Sequence, residues 1–459
     1  MQHKNYRFLF IVLFSLSIFS ACKKVQETPA TPPVITPPPT TPVASADDRL
    51  KDSVLLYARD IYLWYNQIPA SFNPRTFADP DAIMKGIRPF SMEPGFPNPV
   101  DRFSFASKKV EWDMVTSGIA GDFGIGIFFL SPDDLRVKSV ERESPAGKAG
   151  VRRGWRITKI SGNNNITTSN IPFVVDKIFS SNSTTFTFAK PDGSSVDITL
   201  NVASYKKHPV LVDSVYTVGS KKIGYLVFAS FLGDTVEINS ELNRVFNRFT
   251  NAGVNDVVVD LRYNGGGYVS VAERLSNYLA PSSANGSLMM KQQYNDKYSK
   301  FNTSVNFKKI GSLNLSRIFF IVSSSSASAS ELLINNLVPV MDVKLIGRNK
   351  TFGKPVGFFP IPVGEWYIFP VSFKTVNKNG ESNYYEGFTP NAIVADGLAN
   401  DFGDVNEASL ASAIKFITTG AYRLQSGQSY QELPQVSNGN LLLDEPMFKG
   451  SIGGKRSLK

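Results

Sequence analysis

Across residues 205–420, short runs of apolar residues alternate with segments in which apolar residues recur every three to four positions. The runs are rich in Val, Ile and Phe and predict buried strands at 222–228, 256–262, 317–322 and 343–347. The periodic segments predict helices at 234–249, 269–279 and 329–337. Strands that alternate with helices imply crossover units, which are right-handed, so the sequence predicts an α/β core.

Residues 119–204 have a different pattern, in which alternating apolar and polar segments are separated by glycines. The pattern predicts, in order, a strand at 135–141, a helix at 144–154, a strand at 155–162, a helix at 174–179 and a hairpin of 185–189 with 196–202. This region is therefore expected to be a smaller, β-rich domain.

Residues 46–118 begin with helical spacing and continue with prolines. Apolar positions from Leu50 to Trp64 recur at three and four residues, and Asp47 and Asp48 are predicted to cap this helix. The prolines that follow divide the chain into short pieces. The segment is interpreted as an N-terminal helical domain whose aromatic residues form core, and it is assigned no chemistry.

The N-terminus has the pattern of a targeting segment. Lys4 and Arg7 form a positive region, and the apolar run 8–19 is too short to span a bilayer as a helix. Cys22 follows two small residues, an arrangement that resembles a bacterial lipoprotein signal in which 1–21 is removed and the cysteine is lipidated. An uncleaved anchor and ordinary secretion are the alternatives, and all three imply export.

Both ends of the chain also carry segments that are not expected to form a core. Residues 22–45 contain seven prolines, which favours an extended linker. Residues 421–459 are polar and contain glycines, which predicts a loosely packed C-terminal tail.

Composition narrows the chemistry that the chain can perform. One Cys and two His among 459 residues exclude an intramolecular disulfide framework and the Cys/His zinc spacings, whereas carboxylate metal sites remain possible. The net charge is +10, and removal of 1–21 would leave +8 because it takes away Lys4 and Arg7. The basic residues are dispersed, so the charge is interpreted as a surface near anionic lipid or cell wall, not as a nucleic-acid site.

A serine-rich segment lies between a predicted strand and a predicted helix. Ser328 in Ala327-Ser-Ala-Ser-Glu331 would be exposed at the C-terminal edge of the sheet, beside unpaired helix N–H groups that favour a developing oxyanion. Ser328 and Glu331 also match a capping box, S-x-x-E, and capping alone would explain a serine there.

Two further motifs favour catalysis over capping. Residues 260–267, Asp-Leu-Arg-Tyr-Asn-Gly-Gly-Gly, lead from a strand into a glycine turn that can present a second N–H to an oxyanion. A phosphate loop is the alternative, but the Lys-Ser/Thr of a P-loop is absent. Lys354, in Thr351-Phe-Gly-Lys, can act as a general base if burial lowers its pKa, whereas a lone lysine is more often exposed to solvent.

Together these motifs resemble those of the C-terminal processing, or tail-specific, serine peptidases, over residues 119–415. The resemblance implies a PDZ-like domain at 119–204 and an α/β peptidase core of the ClpP/crotonase-like type at 205–420. It implies Ser328 as nucleophile, Lys354 as general base, and the amides of Gly266 and Ala329 as oxyanion donors. It implies no cofactor and no metal.

The resemblance of 119–204 to a bacterial PDZ domain also implies a peptide-binding loop. Backbone N–H groups of the loop would bind a terminal carboxylate, and the peptide would add as a strand at the sheet edge. The loop comprises Phe123, Gly124, Ile125, Gly126 and Ile127. The implied partners are unfolded or C-terminal polypeptides and, through the lipid anchor, a membrane of the periplasm or outer membrane of a Gram-negative bacterium.

The sequence departs from the family pattern at two points. Phe358 stands where the family usually has a glutamine that orients the lysine, and the spacing from Ser328 to Lys354 is one residue longer than expected. Some relatives use a Ser-His-Glu arrangement, for which His208 is the only histidine left after removal of 1–21. The leading hypothesis is thus a membrane-tethered serine endopeptidase. The alternatives are a catalytically impaired peptide-binding scaffold and a glycan- or lipid-binding surface protein.

Overall fold

The computed structural model describes residues 44–423 and 450–454. The predicted signal peptide 1–21, the predicted lipidation site Cys22 and the linker up to residue 43 lie outside the described residues. From Ser45 onward the chain forms one unit. Among the residues described, no helix combines the length and the apolar character that a bilayer crossing requires.

Helices and strands alternate through most of this unit, which confirms the predicted mixed α/β fold. The helices are α1 (Ala46–Ile61), α2 (Pro80–Ile87), α3 (Lys109–Ser117), α4 (Pro145–Lys148), α5 (Ile171–Val175), α6 (Thr235–Ala252), α7 (Val269–Leu279), α8 (Ala329–Leu337) and α9 (Ala408–Thr419). The strands are β1 (Phe105–Lys108), β2 (Ile119–Asp122), β3 (Ile125–Ser131), β4 (Asp134–Val140), β5 (Arg156–Ile160), β6 (Ser183–Ala189), β7 (Ser195–Asn201), β8 (Ala203–Lys206), β9 (Val210–Val218), β10 (Lys221–Phe228), β11 (Asp256–Asp260), β12 (Gly266–Tyr268), β13 (Leu288–Tyr294), β14 (Thr303–Asn306), β15 (Arg317–Val322), β16 (Asp342–Gly347), β17 (Val356–Gly357), β18 (Ile361–Val363), β19 (Trp366–Phe369), β20 (Phe373–Asn377), β21 (Ala392–Ile393) and β22 (Gly450–Ile452).

The central sheet has the strand order β21-β16-β15-β11-β10-β9, and its strands are parallel except for β9. The central strands β11 and β15 are apolar except at their ends, because both of their faces are covered. Phe319 and Ile321 of β15 pack in a cluster with α9, whereas Phe320 and Val322 pack in a cluster with α6, α7 and α8. Since β11 and β15 are parallel neighbours, their carboxyl ends meet at one edge. The glycine turn and the serine-rich segment follow these two strands.

A second, antiparallel sheet has the order β3-β4-β5-β6-β7. It encloses its own core, in which Leu135, Ile157, Phe186 and Phe188 are fully or almost fully buried. The predicted hairpin is confirmed as β6 and β7, with Phe186 opposite Ile198. The identification of this region as a PDZ domain stays a prediction.

The N-terminal region differs from its prediction in two details. The N-cap of α1 is Ser45, not Asp47 or Asp48: the Ser45 hydroxyl accepts the Asp48 amide at 2.9 Å, and the Asp48 carboxylate accepts the Ser45 amide at 3.1 Å. Near the end of the segment the chain forms β1, which pairs with β19. The region is therefore not wholly helical.

Part of the predicted tail is packed into the fold. Residues 450–452 form β22, which pairs in parallel with β12 of the glycine turn, and all three residues are buried. The expectation of loose packing is therefore wrong for this part of 421–459.

Candidate active site

Ser328 is the N-cap of α8, at the turn that follows β15. It has φ +57° and ψ −102°, a combination that few residues other than glycine adopt. Holding a serine there costs about 1–3 kcal/mol, and such strain persists where the surroundings determine the geometry. The side chain is fully buried within the structure described.

Glu331 accepts hydrogen bonds from both the turn that contains Ser328 and the segment 351–354. One carboxylate oxygen, Oε2, accepts the backbone amides of both Ser328 and Lys354, each at 2.8 Å. The other, Oε1, accepts the Gly353 amide and the Thr351 hydroxyl, each at 2.6 Å. Because Ser328 and Lys354 bind the same oxygen atom, the two sequence motifs lie side by side.

These bonds also show which contacts of Ser328 belong to a capping box. The Glu331 carboxylate receives the Ser328 amide, as in a capping box. A capping box is therefore present at the start of α8. The Ser328 hydroxyl in addition donates to Ser451 Oγ at 2.6 Å, a bond that capping does not require.

Lys354 is fully buried against aromatic rings. Its Nζ lies 3.8 Å from the centre of the Phe358 ring and 4.9 Å from that of Phe103. Burial lowers the pKa of Lys354 well below its ordinary value, although the charges of Asp101 and Glu331 partly oppose this effect. Phe358, at the position where the resemblance implies a glutamine, is thus part of the environment of the lysine.

The glycine turn after β11 lies against the start of α8. Gly266 has φ +103°, and a Cβ there would be 2.9 Å from the Ala329 amide nitrogen and 2.8 Å from the Ala327 oxygen. Only glycine permits this approach. The Gly266 amide donates to Asn264 Oδ1 at 2.9 Å, so it already has a partner inside the turn. Gly266 and Ala329 are brought together, and their role as oxyanion donors stays a prediction.

Several residues that were assigned no role connect these turns. The Ser326 hydroxyl donates to the Leu261 carbonyl at 2.7 Å, and the Ser330 hydroxyl donates to the Asn264 carbonyl at 3.0 Å. The serines of this segment therefore serve in part to hydrogen-bond it to the turn that follows β11. Glu331 was visible only as a cap, and no pattern in the sequence pointed to Ser451.

A second buried cation lies in the same turn as the glycines. Arg262 donates hydrogen bonds to three carboxylates, those of Asp260, Asp396 and Glu407. Arg153, which precedes β5 of the smaller sheet, also pairs with Asp396. Burial alone would raise the pKa of Asp396, but the two guanidinium groups hold it well below its ordinary value. The smaller sheet is thereby tied to the glycine turn.

Most side chains of the predicted peptide-binding loop pack into the protein interior. Its apolar side chains are buried in the core of the smaller sheet: Phe123, Ile125 and Ile127. Gly124 has φ +75°, and a Cβ there would overlap the side chain of Ser144. A Cβ on Gly126 would lie 2.5 Å from Ser139 Oγ. Close packing thus explains both glycines. Strand β3 itself lies at an edge of its sheet. Carboxylate binding by this loop stays a prediction.

His208 lies between two glutamates. Its Nδ1 contacts Glu237 Oε1 at 3.0 Å and its Nε2 contacts Glu143 Oε1 at 3.1 Å. Both ring nitrogens are thus engaged by carboxylates, whereas the Ser328 hydroxyl contacts Ser451. These contacts favour a structural role for His208.

Comparison with known families gives two matches along the chain. The model of peptidase family S41 matches residues 222–394, which include Ser328 and Lys354, and the model of the peptidase S41 N-terminal domain matches residues 49–105. The second match covers the region to which the sequence assigned no chemistry.

Relatives and solved structures agree with these matches. Proteins described as CtpA-like serine proteases are 28% identical over 260 residues in Staphylococcus aureus, covering 56% of this chain and 49% of the relative, and 26% identical over 259 residues in Staphylococcus saprophyticus, covering 56% and 50%. The chain thus spans about half the length of the curated relatives it matches. The crystal structure of a Bacteroides fragilis protein described as an S41 protease superposes with a TM-score of 0.68 at 26% identity, covering 80% of this chain and 97% of that one.

Proposed function

The chain belongs to peptidase family S41, and on that premise we propose that it is a serine endopeptidase that cleaves polypeptides recognised near their C-termini. The observation that carries this proposal is that the backbone amides of Ser328 and Lys354 bind the same Glu331 oxygen, together with the lowered pKa of Lys354. A lowered pKa favours the neutral amine, which is the form of lysine that can act as a general base.

In the proposed mechanism, the neutral Lys354 amine takes the proton of the Ser328 hydroxyl as Oγ attacks the peptide carbonyl. The resulting oxyanion accepts the Ala329 N–H, the first amide of α8, which has no partner within its helix. A second donor comes from the turn at Gly266. Lys354 then gives its proton to the leaving amine, and water hydrolyses the acyl-enzyme by the same route. The mechanism uses no cofactor and no metal.

Substrate capture is assigned to the smaller sheet. As a PDZ-like domain, residues 119–204 would bind a polypeptide C-terminus at the loop 123–127, and the peptide would extend the sheet at β3. The edge position of β3 supports this assignment. The Arg153–Asp396 ion pair would connect such a domain to the catalytic turn.

The location and the domain boundaries are proposals of the same kind. A signal peptide (1–21), a lipid anchor at Cys22 and a proline-rich linker (22–45) would hold the protein at the cell envelope. A helical domain (46–118) would precede the PDZ-like domain, and the ClpP/crotonase-like core (205–420) would be followed by the tail (421–459). The N-terminal sequence pattern supports this order.

A catalytically impaired peptide-binding scaffold is the alternative, and one observation favours it. Phe358 occupies the position of the family glutamine and packs its ring on Lys354. A ring cannot accept a hydrogen bond from a neutral amine as an amide oxygen can. A scaffold of this kind would bind polypeptides without hydrolysing them.

Purified protein incubated with an unfolded polypeptide separates the two functions. We expect cleavage by the wild type and none by Ser328→Ala, because the variant lacks the nucleophile. Equal cleavage by both proteins would exclude Ser328, and binding without cleavage by both would identify the scaffold. For capture of the C-terminus, amidation of the substrate carboxylate should weaken binding, and unchanged binding would exclude carboxylate recognition.

A further inference from the structure

Strand β22 is bonded along both of its edges. On one side the Gly450 amide donates to the Gly265 carbonyl at 3.0 Å, within the parallel pairing with β12. On the other side the Phe358 amide donates to the Ser451 carbonyl at 3.0 Å, and the Gly453 amide donates to the Phe358 carbonyl at 2.9 Å. The segment 450–453 is therefore a middle strand between the glycine turn and the lysine motif.

This strand runs through the candidate active site. Ser451 Oγ accepts the Ser328 hydroxyl at 2.6 Å. The Gly450 carbonyl oxygen lies 2.6 Å, and the Ala329 amide nitrogen 2.9 Å, from the point that a Gly266 Cβ would occupy. A carbonyl group of the tail is thus adjacent to the proposed oxyanion donors, and a tail hydroxyl contacts the nucleophile.

From this arrangement, and resting on the proposed function, we propose that residues 450–453 occupy the substrate strand of the Ser328 site. A polypeptide substrate would bind there as an extended strand, parallel to β12 and bonded to Phe358 on its other edge. Its residue beside Gly266 would have to be small, as Gly450 is. The protein's own tail therefore competes with substrate and holds the site in an inhibited state.

The geometry accounts for an occupant that is not cleaved. The Ser328 hydroxyl donates its one hydrogen bond to Ser451 Oγ, so the hydrogen that Lys354 would have to accept points to the tail instead. The occupant is also tethered: a segment of the same chain reaches an effective concentration on the order of millimolar, so a short strand can remain bound with weak intrinsic affinity. A substrate engaged at a second site could displace it.

The test uses the full chain with Ile452→Asp. Ile452 is buried, and it lies opposite Tyr268 on one side and Phe358 on the other, so an aspartate there should release β22. We expect at least a tenfold faster reaction of Ser328 with a fluorophosphonate probe and a lower KM for an unfolded polypeptide. Val405→Asp, at a 45% exposed position, is the matched control and should behave as wild type.

Gly450→Pro is a second variant in case the aspartate perturbs folding. Proline removes the amide that donates to Gly265 and leaves Ile452 in place, so the same acceleration is expected. A synthetic peptide with the sequence of residues 448–456 should slow both released variants back towards wild type, whereas the same peptide carrying Ile452→Asp should not.

Hydrogen exchange distinguishes failure of this inference from failure of the proposed function, since it requires no hydrolysis. The Phe358 and Gly453 amides should exchange slowly in the wild type and at least tenfold faster in both variants. If exchange and probe rates are unchanged in folded variants, the tail does not occupy the site and the inference is wrong. If they change as expected while no protein hydrolyses polypeptide, the tail occupies the site but the proposed peptidase function is wrong.

Discussion

Two buried cations lie close to the Ser328 turn, and their surroundings differ. Arg262 is 3% exposed and donates to three carboxylates, Asp260, Asp396 and Glu407. Lys354 is fully buried against two phenylalanine rings. Burial opposes the charge of both, yet the pKa of Arg262 is raised by its carboxylates, whereas the pKa of Lys354 is lowered.

This difference separates a structural charge from a chemical one. Arg262 stays ionised because its partners compensate the desolvation, so it can hold the glycine turn but cannot exchange a proton. Lys354 lies where burial favours the neutral amine, which is the form that can accept a proton from serine. Both residues are buried to a similar depth. The number of carboxylates that face each cation, which offset the cost of burying its charge, decides which one is suited to catalysis.

The largest effect is expected from Lys354→Met, which removes the base and keeps an apolar side chain in an apolar site. We expect kcat/KM for an unfolded polypeptide to fall at least about 10³-fold, or roughly 4 kcal/mol, with no loss of thermal stability. Lys350→Met is the matched control, since the Lys350 side chain is 52% exposed. Activity retained in Lys354→Met but lost in His208→Ala would instead assign the base to His208.

Arg262→Met should have the opposite outcome, a loss of stability. Without the guanidinium, the carboxylates of Asp260 and Glu407 remain buried and unpaired, which typically costs about 3–5 kcal/mol. Urea unfolding measures this cost. The control is Arg248→Met, whose side chain is 51% exposed and whose surface pair with Asp213 should contribute less than about 1 kcal/mol. If Arg262→Met were as stable as Arg248→Met, the charge of Arg262 would not stabilise the fold, and the distinction between a structural Arg262 and a chemical Lys354 would be wrong.

The pH dependence should also differ between the two sites. Because the folded state lowers the pKa of Lys354, the unfolded chain binds more protons between that pKa and about 10.4. Stability therefore rises with pH across this window, and activity rises as the amine loses its proton. Urea unfolding from neutral to alkaline pH should show this slope in the wild type and a smaller slope in Lys354→Met. Equal slopes would mean that Lys354 does not titrate there.

At the Arg262 site the slope of stability against pH has the same sign, but it lies in a lower pH range. The pKa of Asp396 is lowered in the folded state, so its contribution to stability is present above about 3.9, its unfolded value, and is lost as pH falls below it. The two sites therefore lose stability on acidification in separate pH ranges.

Much of the fold could be predicted from the sequence, because its elements are long and their periodicity is strong. Strands β10, β11, β15 and β16 and helices α6, α7 and α8 followed from apolar runs and three-to-four spacing, whereas the short strands between them were not predicted. The positions of Ser328 and Lys354 followed from short motifs next to those elements. Parallel pairing of β11 with β15 then placed the glycine turn beside the serine, as topology requires.

What the sequence could not reveal depends on contacts between distant residues. Phe103, which lies over the Lys354 amine, belongs to a segment for which the sequence predicted no chemistry. The pairing of residues 450–452 has no periodic pattern behind it, since Gly-Ser-Ile is short and mostly polar. The cap at Ser45 was missed because Asp47 and Asp48 also suit a helix start.

The smallest effect is expected from Tyr263→Phe. This variant tests whether the stability of the Arg262 site depends on its charged side chains or on the hydrogen bonds from uncharged groups such as the Tyr263 hydroxyl. The Tyr263 hydroxyl donates to Asp396, a carboxylate that keeps Arg153 and Arg262 as partners when the hydroxyl is removed. The same hydroxyl accepts a hydrogen bond from Arg153 Nη1 at 3.0 Å. Loss of a hydrogen bond to a charged group costs roughly 1.5–3 kcal/mol. Activity should change less than about threefold, because Asn264, the next residue, keeps its bonds.

Urea unfolding of this variant should be compared with that of Tyr65→Phe, whose hydroxyl donates to Asp296 at the surface at 3.1 Å and should have a smaller effect. If Tyr263→Phe were as destabilising as Arg262→Met, the carboxylates would be held by a cooperative network and not by the arginine charge. Arg262 and Lys354 would then differ in the hydrogen bonds around them more than in the charges that face them.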